Sequence, residues 1–181
     1  EDIRADASVA IAALRHAGTS VQLLSGDGTR AVDRVAAAVG IQQATGNCSP
    51  DGKLDRLRAL QDKGHRVAMV GDGLNDGPVL AAAHASFAFG LAVPLAQARS
   101  DFVVLGDQLQ RIPQALRLAR KSLRIVRQNL AWAAGYNIIC VPLALVGLMP
   151  AWLAGLGMAL SSLLVVLNAA RLSRPLPGGD T

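Results

Sequence analysis

A long stretch without charged side chains most constrains what this chain can fold into. Residues 129–170 contain no Asp, Glu, Lys or Arg, whereas residues 1–128 mix charged and apolar residues as a soluble domain does. Met149-Pro150 divides the stretch into two runs, 129–149 and 151–170, each long enough to cross about 30 Å of hydrocarbon as a helix. We therefore predict a two-helix transmembrane hairpin, with a buried hairpin of a soluble domain as the alternative.

Basic residues lie on both sides of this stretch. The segment 108–128 combines apolar residues at roughly helical spacing with basic ones, as in a stalk helix; the basic residues are Arg111, Arg117, Arg120, Lys121, Arg124 and Arg127. Arg171 and Arg174 belong to a short tail, 171–181. By the positive-inside rule, both ends of the hairpin face the cytoplasm and the turn at Pro150 faces outside. Because topology and contact with anionic lipid account for these arginines, we expect no nucleic-acid partner despite the net charge of +5.

The soluble part is centred on residues 67–76, which read VAMVGDGLND. Val67–Val70 is a short apolar run, typical of a buried parallel strand. Gly71 and Gly73 then form a turn in which backbone can approach an anion or a metal, and Asn75 can cap the following helix. The polar side chains gathered at this strand end are Asp72, Asn75 and Asp76. Their oxygens suit a hard cation such as Mg²⁺, and the alternative is a corner in which the acids only cap the helix.

An earlier part of the chain repeats this strand–turn–helix pattern. Ser20–Leu24 predicts a strand, Ser25–Thr29 (SGDGT) a glycine turn that carries Asp27, and Arg30–Val39 a helix. Two such units predict an α/β fold with a parallel sheet and crossover helices. The alternative role for Asp27 is the N-cap of the helix that follows it.

The other predicted elements complete this α/β pattern. Helices are expected at Ala5–His16 and Lys53–Asp62, the second with Pro50 near its first turn, and strands at Ala85–Phe89 and Asp101–Leu105. The chain's two cysteines, Cys48 and Cys140, lie in unlike surroundings, so they indicate a reducing compartment rather than a disulfide framework.

The GDGxND string at 71–76 resembles the hinge motif of the P-type ATPases, which belong to the haloacid dehalogenase-like phosphotransferases. The resemblance implies a partial phosphorylation domain over residues 1–107, with Mg²⁺ and ATP as cofactors and an aspartyl phosphate in the whole enzyme. It implies that Asp72 binds the catalytic Mg²⁺. It also implies that Asn75 and Asp76 complete the phosphate and metal site.

Two further positions match the same family. Lys53 precedes the GDGxND string at the distance of the lysine that neutralises the aspartyl phosphate, although a lone lysine is more often a solvated surface residue. The SGDGT loop resembles the TGDN-type loop near the nucleotide, which implies that Asp27 contacts ATP. The turn glycines assigned with it to cofactor binding are Gly26, Gly71 and Gly73.

Polar residues inside the two uncharged runs carry a finer resemblance. Tyr136-Asn137 and Met158-x-x-Ser161-Ser162 are similar to the paired signatures of the last two membrane helices of copper-transporting P-type ATPases. The ligands that this implies for transported Cu⁺ are Tyr136, Asn137, Met158 and Ser162. A thioether is a soft ligand that favours Cu⁺, and the alternative is that these residues only pack the helices. Cys140 fits a packing role better than a ligand role.

The sequence as a whole is therefore expected to be the C-terminal part of a copper-translocating P-type ATPase of the bacterial plasma membrane. It contains no DKTGT, TGE or Cys-Pro-Cys motif, so we expect the chain alone to be inactive. Expected partners are the missing N-terminal part, the lipid bilayer and a copper chaperone. The alternatives are a Zn²⁺/Cd²⁺ or other cation exporter, a membrane-tethered haloacid dehalogenase-like phosphatase, which would need a DxD pair, and a truncated structural protein.

Overall fold

The computed structural model describes residues 3–71, 74–90 and 94–173. The chain divides into two compact units, Glu1–Gln114 and Ala115–Thr181. The helices of the described ranges are α1 (Ala7–His16), α2 (Thr29–Val39), α3 (Pro50–Asp62), α4 (Gly77–Ala82), α5 (Pro94–Ala98), α6 (Arg111–Leu145) and α7 (Ala151–Ala170). The strands are β1 (Gln22–Leu24), β2 (Gln43–Thr45), β3 (Ala68–Gly71), β4 (Ala85–Phe89) and β5 (Phe102–Val104).

The first unit has the parallel α/β architecture that the sequence predicts. Strands β1 and β2 pair in parallel, and β3, β4 and β5 form a second parallel sheet in that order. Successive strands are joined through helices, as parallel pairing requires. The carboxyl ends of β1 and β2 therefore lie side by side, and so do those of β3 and β4.

Several predicted boundaries and burial assignments change. The short strand β2 was not predicted, because QAT has no apolar run or alternation that marks a strand. The strand predicted at Val67–Val70 is shifted to Ala68–Gly71, and it is not buried on both faces: Ala68 is exposed and Val70 is 38% exposed. The physical reason is that β3 pairs only with β4 among the described strands, so it lies at the edge of its sheet.

Polar and aromatic contacts fix the order of the second sheet. Ser86 of β4 is buried, and both its backbone N–H and its hydroxyl donate to Asp101 Oδ2, each over 2.8 Å. The ring of Phe87 stacks on that of Phe102 in β5 at 5.0 Å. Asp101 thus holds the start of β5 against β4, beside a core cluster of Phe89, Val104 and Ile112.

The segment before α1 is tied to the residues that lead into α6. Arg4 Nε lies 2.6 Å from Asp107 Oδ1, and its guanidinium stacks 3.9 Å above the Phe89 ring. Asp6 Oδ2 accepts a 2.8 Å hydrogen bond from the backbone N–H of Gln110, one residue before α6 begins. These contacts satisfy a backbone donor at the start of that helix and fix its first turn.

The second unit contains most of α6 and the whole of α7. The predicted stalk helix and first span are parts of one helix, α6, which starts at Arg111 and ends at Leu145, four residues before the predicted end of the span. Gly147 has φ +73°, a left-handed conformation that ends helices, and Leu148 N–H bonds the Leu143 carbonyl over 3.0 Å. Pro150 then occupies the N-cap of α7.

Helices α6 and α7 run antiparallel along a seam of half-buried residues. Trp132 Nε1 donates to Ser161 Oγ over 3.1 Å, and the Tyr136 hydroxyl donates to the Ala154 carbonyl over 3.4 Å. The half-buried positions recur three and four residues apart, at Asn129, Ala133, Tyr136 and Cys140 of α6 and at Ala154, Gly157, Ser161, Val165 and Asn168 of α7. Small residues let the two backbones approach, as in membrane helix pairs.

Within the described ranges, one helix is long and apolar enough to cross a membrane. This helix is α7, Ala151–Ala170; its mean hydropathy is 1.9, and none of its apolar stretch is buried inside the protein. The uncharged part of α6 is shorter, about 24 Å from Leu130 to Leu145, and includes Tyr136 and Asn137. The first of the two predicted spans therefore stays a prediction.

The Tyr136–Gly157 contact gives a test of this seam. A Cβ on Gly157 would lie 2.6 Å from the Tyr136 hydroxyl oxygen, whereas a Cβ on Gly155 would meet nothing within 4 Å. We expect Gly157→Ala to destabilise the hairpin by about 1–3 kcal/mol because the ring must move. Gly155→Ala should be neutral or slightly stabilising, since alanine favours helix. Denaturant midpoints of the two variants, measured in detergent, compare them; equal midpoints would contradict the seam.

Candidate active site

The position of Lys53 is set by the local sequence at the start of α3. Ser49 is the N-cap, and its Oγ accepts from the Gly52 N–H over 3.1 Å; Pro50 occupies the first turn. The Lys53 N–H donates to the Ser49 carbonyl over 2.9 Å, which begins the regular helix. Lys53 therefore lies at the end of the first turn, near the positive end of the helix dipole, which favours an anion.

Lys53 and Asp76 form a largely buried ion pair. Lys53 Nζ lies 2.8 Å from Asp76 Oδ1, and the two side chains are 14% and 11% exposed. They are 23 residues apart in sequence and come from α3 and from the 3₁₀ turn Leu74–Asp76, which follows β3. The solvated-surface alternative for Lys53 is therefore wrong, since the ammonium is held at the carboxyl end of a parallel strand.

Gly71 makes room for the Asp76 carboxylate at the end of β3. A Cβ on Gly71 would lie 2.9 Å from Asp76 Oδ2 and 3.0 Å from Asp76 Cβ. No side chain fits there unless the aspartate moves, so the first glycine of the motif sets the position of the second acid. Asp76 in turn orients Lys53.

Among the described residues of this corner, no side chain caps α4. The N-cap of α4 is Asp76, not Asn75, and its side chain makes no capping hydrogen bond because the carboxylate binds Lys53. Asn75 lies in the 3₁₀ turn with its side chain exposed. Asp72 and Gly73, assigned from the sequence to Mg²⁺ and cofactor binding, lie outside the described residues.

The loop after β1 holds Asp27 by contacts other than a helix cap. Ser25 Oγ donates to Asp27 Oδ2 over 2.6 Å, and the N-cap of α2 is Gly28. The alternative of Asp27 as an N-cap is therefore wrong. Gly26 lies in the same turn, where a Cβ would be 3.7 Å from the Cys48 carbonyl oxygen, an ordinary contact.

Sequence reasoning missed the residues that pack against this loop. A Cβ on Gly46 would lie 2.6 Å from Thr29 Cα, so only glycine allows β2 to end this close to the loop after β1. Asn47 adopts φ +50°, and its Nδ2 donates to Thr29 Oγ1 over 3.1 Å. The Gly-Asn pair after Thr45 was a recognisable turn signal.

The described residues include no group of three His, Cys, Asp or Glu side chains that could hold a metal ion. Mg²⁺ commonly takes only one or two protein carboxylates and keeps several waters, so the donor chemistry of the GDGxND turn still fits it. Asp76 is already bound to Lys53 through Oδ1, which leaves Asp72 and Asn75 as the motif's other oxygen donors.

The residues assigned to transported copper separate into two environments within the second unit. Tyr136 is half-buried in the α6–α7 seam, over Gly157. Asn137 and Ser162 are exposed, and Met158 is 66% exposed. Cys140 is half-buried in the seam, as expected for a packing residue. Asn137, Met158 and Ser162 therefore carry polar and soft donor atoms that α6 and α7 do not bury.

A parallel α/β unit with a lysine bound by an aspartate at its strand ends is a haloacid dehalogenase-like arrangement. The family model of the haloacid dehalogenase-like hydrolases matches residues 1–84 of this unit. A cation-transporting P-type ATPase B of Mycobacterium bovis is 44% identical over 95% of this chain and 23% of its own length. A copper-exporting P-type ATPase of Staphylococcus epidermidis is 40% identical over 96% of the chain and 22% of its own length.

A solved structure extends the similarity to the fold. The crystal structure of a zinc-transporting PIB-type ATPase in the E2.Pi state matches 96% of this chain and 28% of its own, with a TM-score of 0.89 and 33% identity. Over nearly its whole length the chain is therefore similar to part of a P-type ATPase. It spans 23% of the length of the Mycobacterium bovis relative.

Proposed function

We propose that this chain contributes to the phosphoryl-transfer site and to the ion pathway of a P-type ATPase that exports Cu⁺. The observation that supports the phosphoryl-transfer role is the Lys53–Asp76 pair at the carboxyl ends of parallel strands. The chain covers only 23% and 22% of the length of the two curated relatives, so the activity belongs to the whole protein.

The chemistry assigned to the α/β unit is electrostatic. The Lys53 ammonium, held by Asp76 and placed in the first turn of α3, neutralises the charge of a phosphoryl group during transfer. Asp76 fixes the direction of the ammonium. Mg²⁺, bound through Asp72 with Asn75 nearby, would supply further neutralisation of phosphate charge. Asp27, bound by Ser25, is the residue proposed to contact the nucleotide.

The choice of copper rests on the hairpin. Its described part, Leu130–Ala170, contains no charged side chain, and its uncovered donors are the Met158 thioether and the Asn137 and Ser162 oxygens. A thioether among neutral oxygens favours a soft monovalent ion over Zn²⁺. Zinc export is the second candidate, because the PIB-type ATPase of TM-score 0.89 is zinc-transporting.

The proposed setting follows from the same hairpin. The protein is an integral protein of a bacterial plasma membrane, with α7 and the end of α6 in the bilayer and both ends cytoplasmic. Its partners are the remainder of the ATPase, the lipid and a cytoplasmic copper chaperone.

Metal-dependent phosphorylation tests this function. In the complete protein, we expect Cu⁺ to stimulate formation of an acid-stable phosphoenzyme from radiolabelled ATP, with Zn²⁺ inactive at the same free concentration. The isolated 181-residue chain is the control, since it has no DKTGT aspartate and should incorporate no label. Stimulation by Zn²⁺ and not by Cu⁺ would identify zinc, instead of copper, as the exported ion. Metal-independent phosphate release by the isolated chain would favour a phosphatase.

A further inference from the structure

A groove with polar residues on its floor lies between α6 and α7, at the end of the hairpin where α7 finishes. Its volume is about 450 Å³. The floor is formed by Gln128 and Asn129 of α6 and by Asn168 and Arg171. Trp132 and Leu167 form part of its walls. Asn168 is ten residues beyond Met158, about 15 Å along the helix, so the groove is separate from the residues assigned to copper.

In the hydrogen bonds of the floor, each side-chain amide oxygen accepts from a neighbouring side chain. Asn168 Nδ2 donates to Asn129 Oδ1 over 2.8 Å and to Gln128 Oε1 over 3.2 Å, and Arg171 Nη1 donates to Asn168 Oδ1 over 3.2 Å. The three amide oxygens are therefore used inside the cluster. The unused donors are the amide N–H groups of Gln128 and Asn129 and the remaining N–H groups of the Arg171 guanidinium. In the described ranges no carboxylate forms an ion pair with this guanidinium. A floor rich in donors and positive charge is complementary to an anion.

The surroundings of the groove match an anion that carries hydrocarbon. From Gln108 to Ser173 the sequence contains no Asp or Glu, and Arg124 and Arg127 are exposed in the helical turn that leads into the floor. On the other side, Leu164 and Leu167 are 48% and 57% exposed. Trp132 is 49% exposed between these polar and apolar parts, a position that tryptophan favours at membrane interfaces.

We propose that this groove binds the headgroup of an anionic phospholipid. The phosphate lies on Arg171 and on the amide N–H groups of Gln128 and Asn129, and an acyl chain follows Leu164 and Leu167 along α7. A soluble phosphate ester would use the floor but leave these leucines uncovered, which is why the lipid is the occupant. The inference rests on the proposed membrane hairpin.

Tryptophan quenching by brominated lipids tests the site directly. The chain has two tryptophans, Trp132 in the groove and Trp152 at the opposite end of α7. The 181-residue chain is placed in phosphatidylcholine–phosphatidylglycerol vesicles in which only one lipid carries bromine, with Trp152→Phe to isolate Trp132 and Trp132→Phe to isolate Trp152. We expect phosphatidylglycerol to be enriched about fivefold near Trp132, the effect of one basic residue at a membrane surface, and not near Trp152.

Matched variants separate a built site from general attraction to basic residues. Arg171→Gln should remove the enrichment near Trp132, and Gln128→Leu should reduce it without changing any charge. Arg117→Gln removes the same charge from an exposed position of α6, about 16 Å from Gln128 along the helix and beyond a Debye length of about 8 Å, so the enrichment should persist. Equal losses in Arg117→Gln and Arg171→Gln would overturn the proposal.

The remaining outcomes distinguish this inference from the proposed hairpin. Equal quenching of Trp132 by the two brominated lipids would leave the hairpin in the membrane and overturn the lipid site. Absence of quenching of both tryptophans would overturn the hairpin and the site together. Loss of the enrichment on adding glycerol phosphate would show that the floor takes soluble phosphate instead of lipid.

Discussion

Replacing Lys53 by methionine is expected to lower ATP turnover of the complete ATPase on the order of 10²-fold or more, because it removes a positioned charge from the phosphoryl group in transfer. Methionine keeps much of the apolar stem, so packing around α3 is little changed. The measurement is phosphoenzyme formation and decay with saturating metal. Near-normal rates of both steps in Lys53→Met would remove Lys53 from the site.

The same substitution also leaves the Asp76 carboxylate without its partner. Asp76 is 8% exposed, and an uncompensated group at that depth should cost about 1–3 kcal/mol of stability. The double variant Lys53→Met/Asp76→Leu removes both charges and should recover much of that stability. It should remain inactive. Recovery of turnover together with stability would show that the single variant had failed only by unfolding.

The sequence predicted that Lys53 belongs with the GDGxND string, but not the contacts between them. The resemblance to P-type ATPases implied one shared site, and in the structure Lys53 contacts Asp76. Asp76, rather than Asn75, is the N-cap of α4, and Gly71 leaves room for its carboxylate. Both features depend on distances across the turn. Sequence periodicity carries no information on such distances.

The strands show a second limit of sequence reasoning. β4 is predicted at its observed bounds because Ala85–Phe89 is mostly apolar and is followed by a glycine. The run before Gly71 was expected to be buried on both faces, yet Val70 is 38% exposed. Whether an apolar parallel strand is covered depends on which strands pair with it, and pairing is a property of the whole sheet.

The hairpin shows what an uncharged run can and cannot specify. Absence of charge over residues 129–170 predicted two helices and the break near Pro150, and both occur. It did not fix the end of the first helix, which is set by the left-handed conformation of Gly147. Nor did it show that Tyr136 lies in the seam while Met158 lies outside it, because that depends on the rotation of each helix.

Met158→Leu is expected to lower the Cu⁺ affinity of the complete protein at least about tenfold, because it removes a soft sulfur donor and supplies none in return. Met158 is 66% exposed in the hairpin, so its side chain is available to an ion or to another part of the protein. The swap roughly conserves volume and should cost little stability. If Met158 only packs, affinity and Cu⁺-stimulated turnover should both stay unchanged.

The control for this variant must change the same two residue types elsewhere on α7. Leu163→Met fits, since Leu163 is 53% exposed and lies five residues beyond Met158, on a different side of the helix. Equilibrium binding of Cu⁺ against a competing chelator and metal-stimulated ATPase activity are measured for both variants. We expect Leu163→Met to match the parent protein. Equal affinities in Met158→Leu and the parent would return the Met-x-x-Ser-Ser stretch to helix packing, and the zinc alternative would then have to be tested at Asn137 and Ser162.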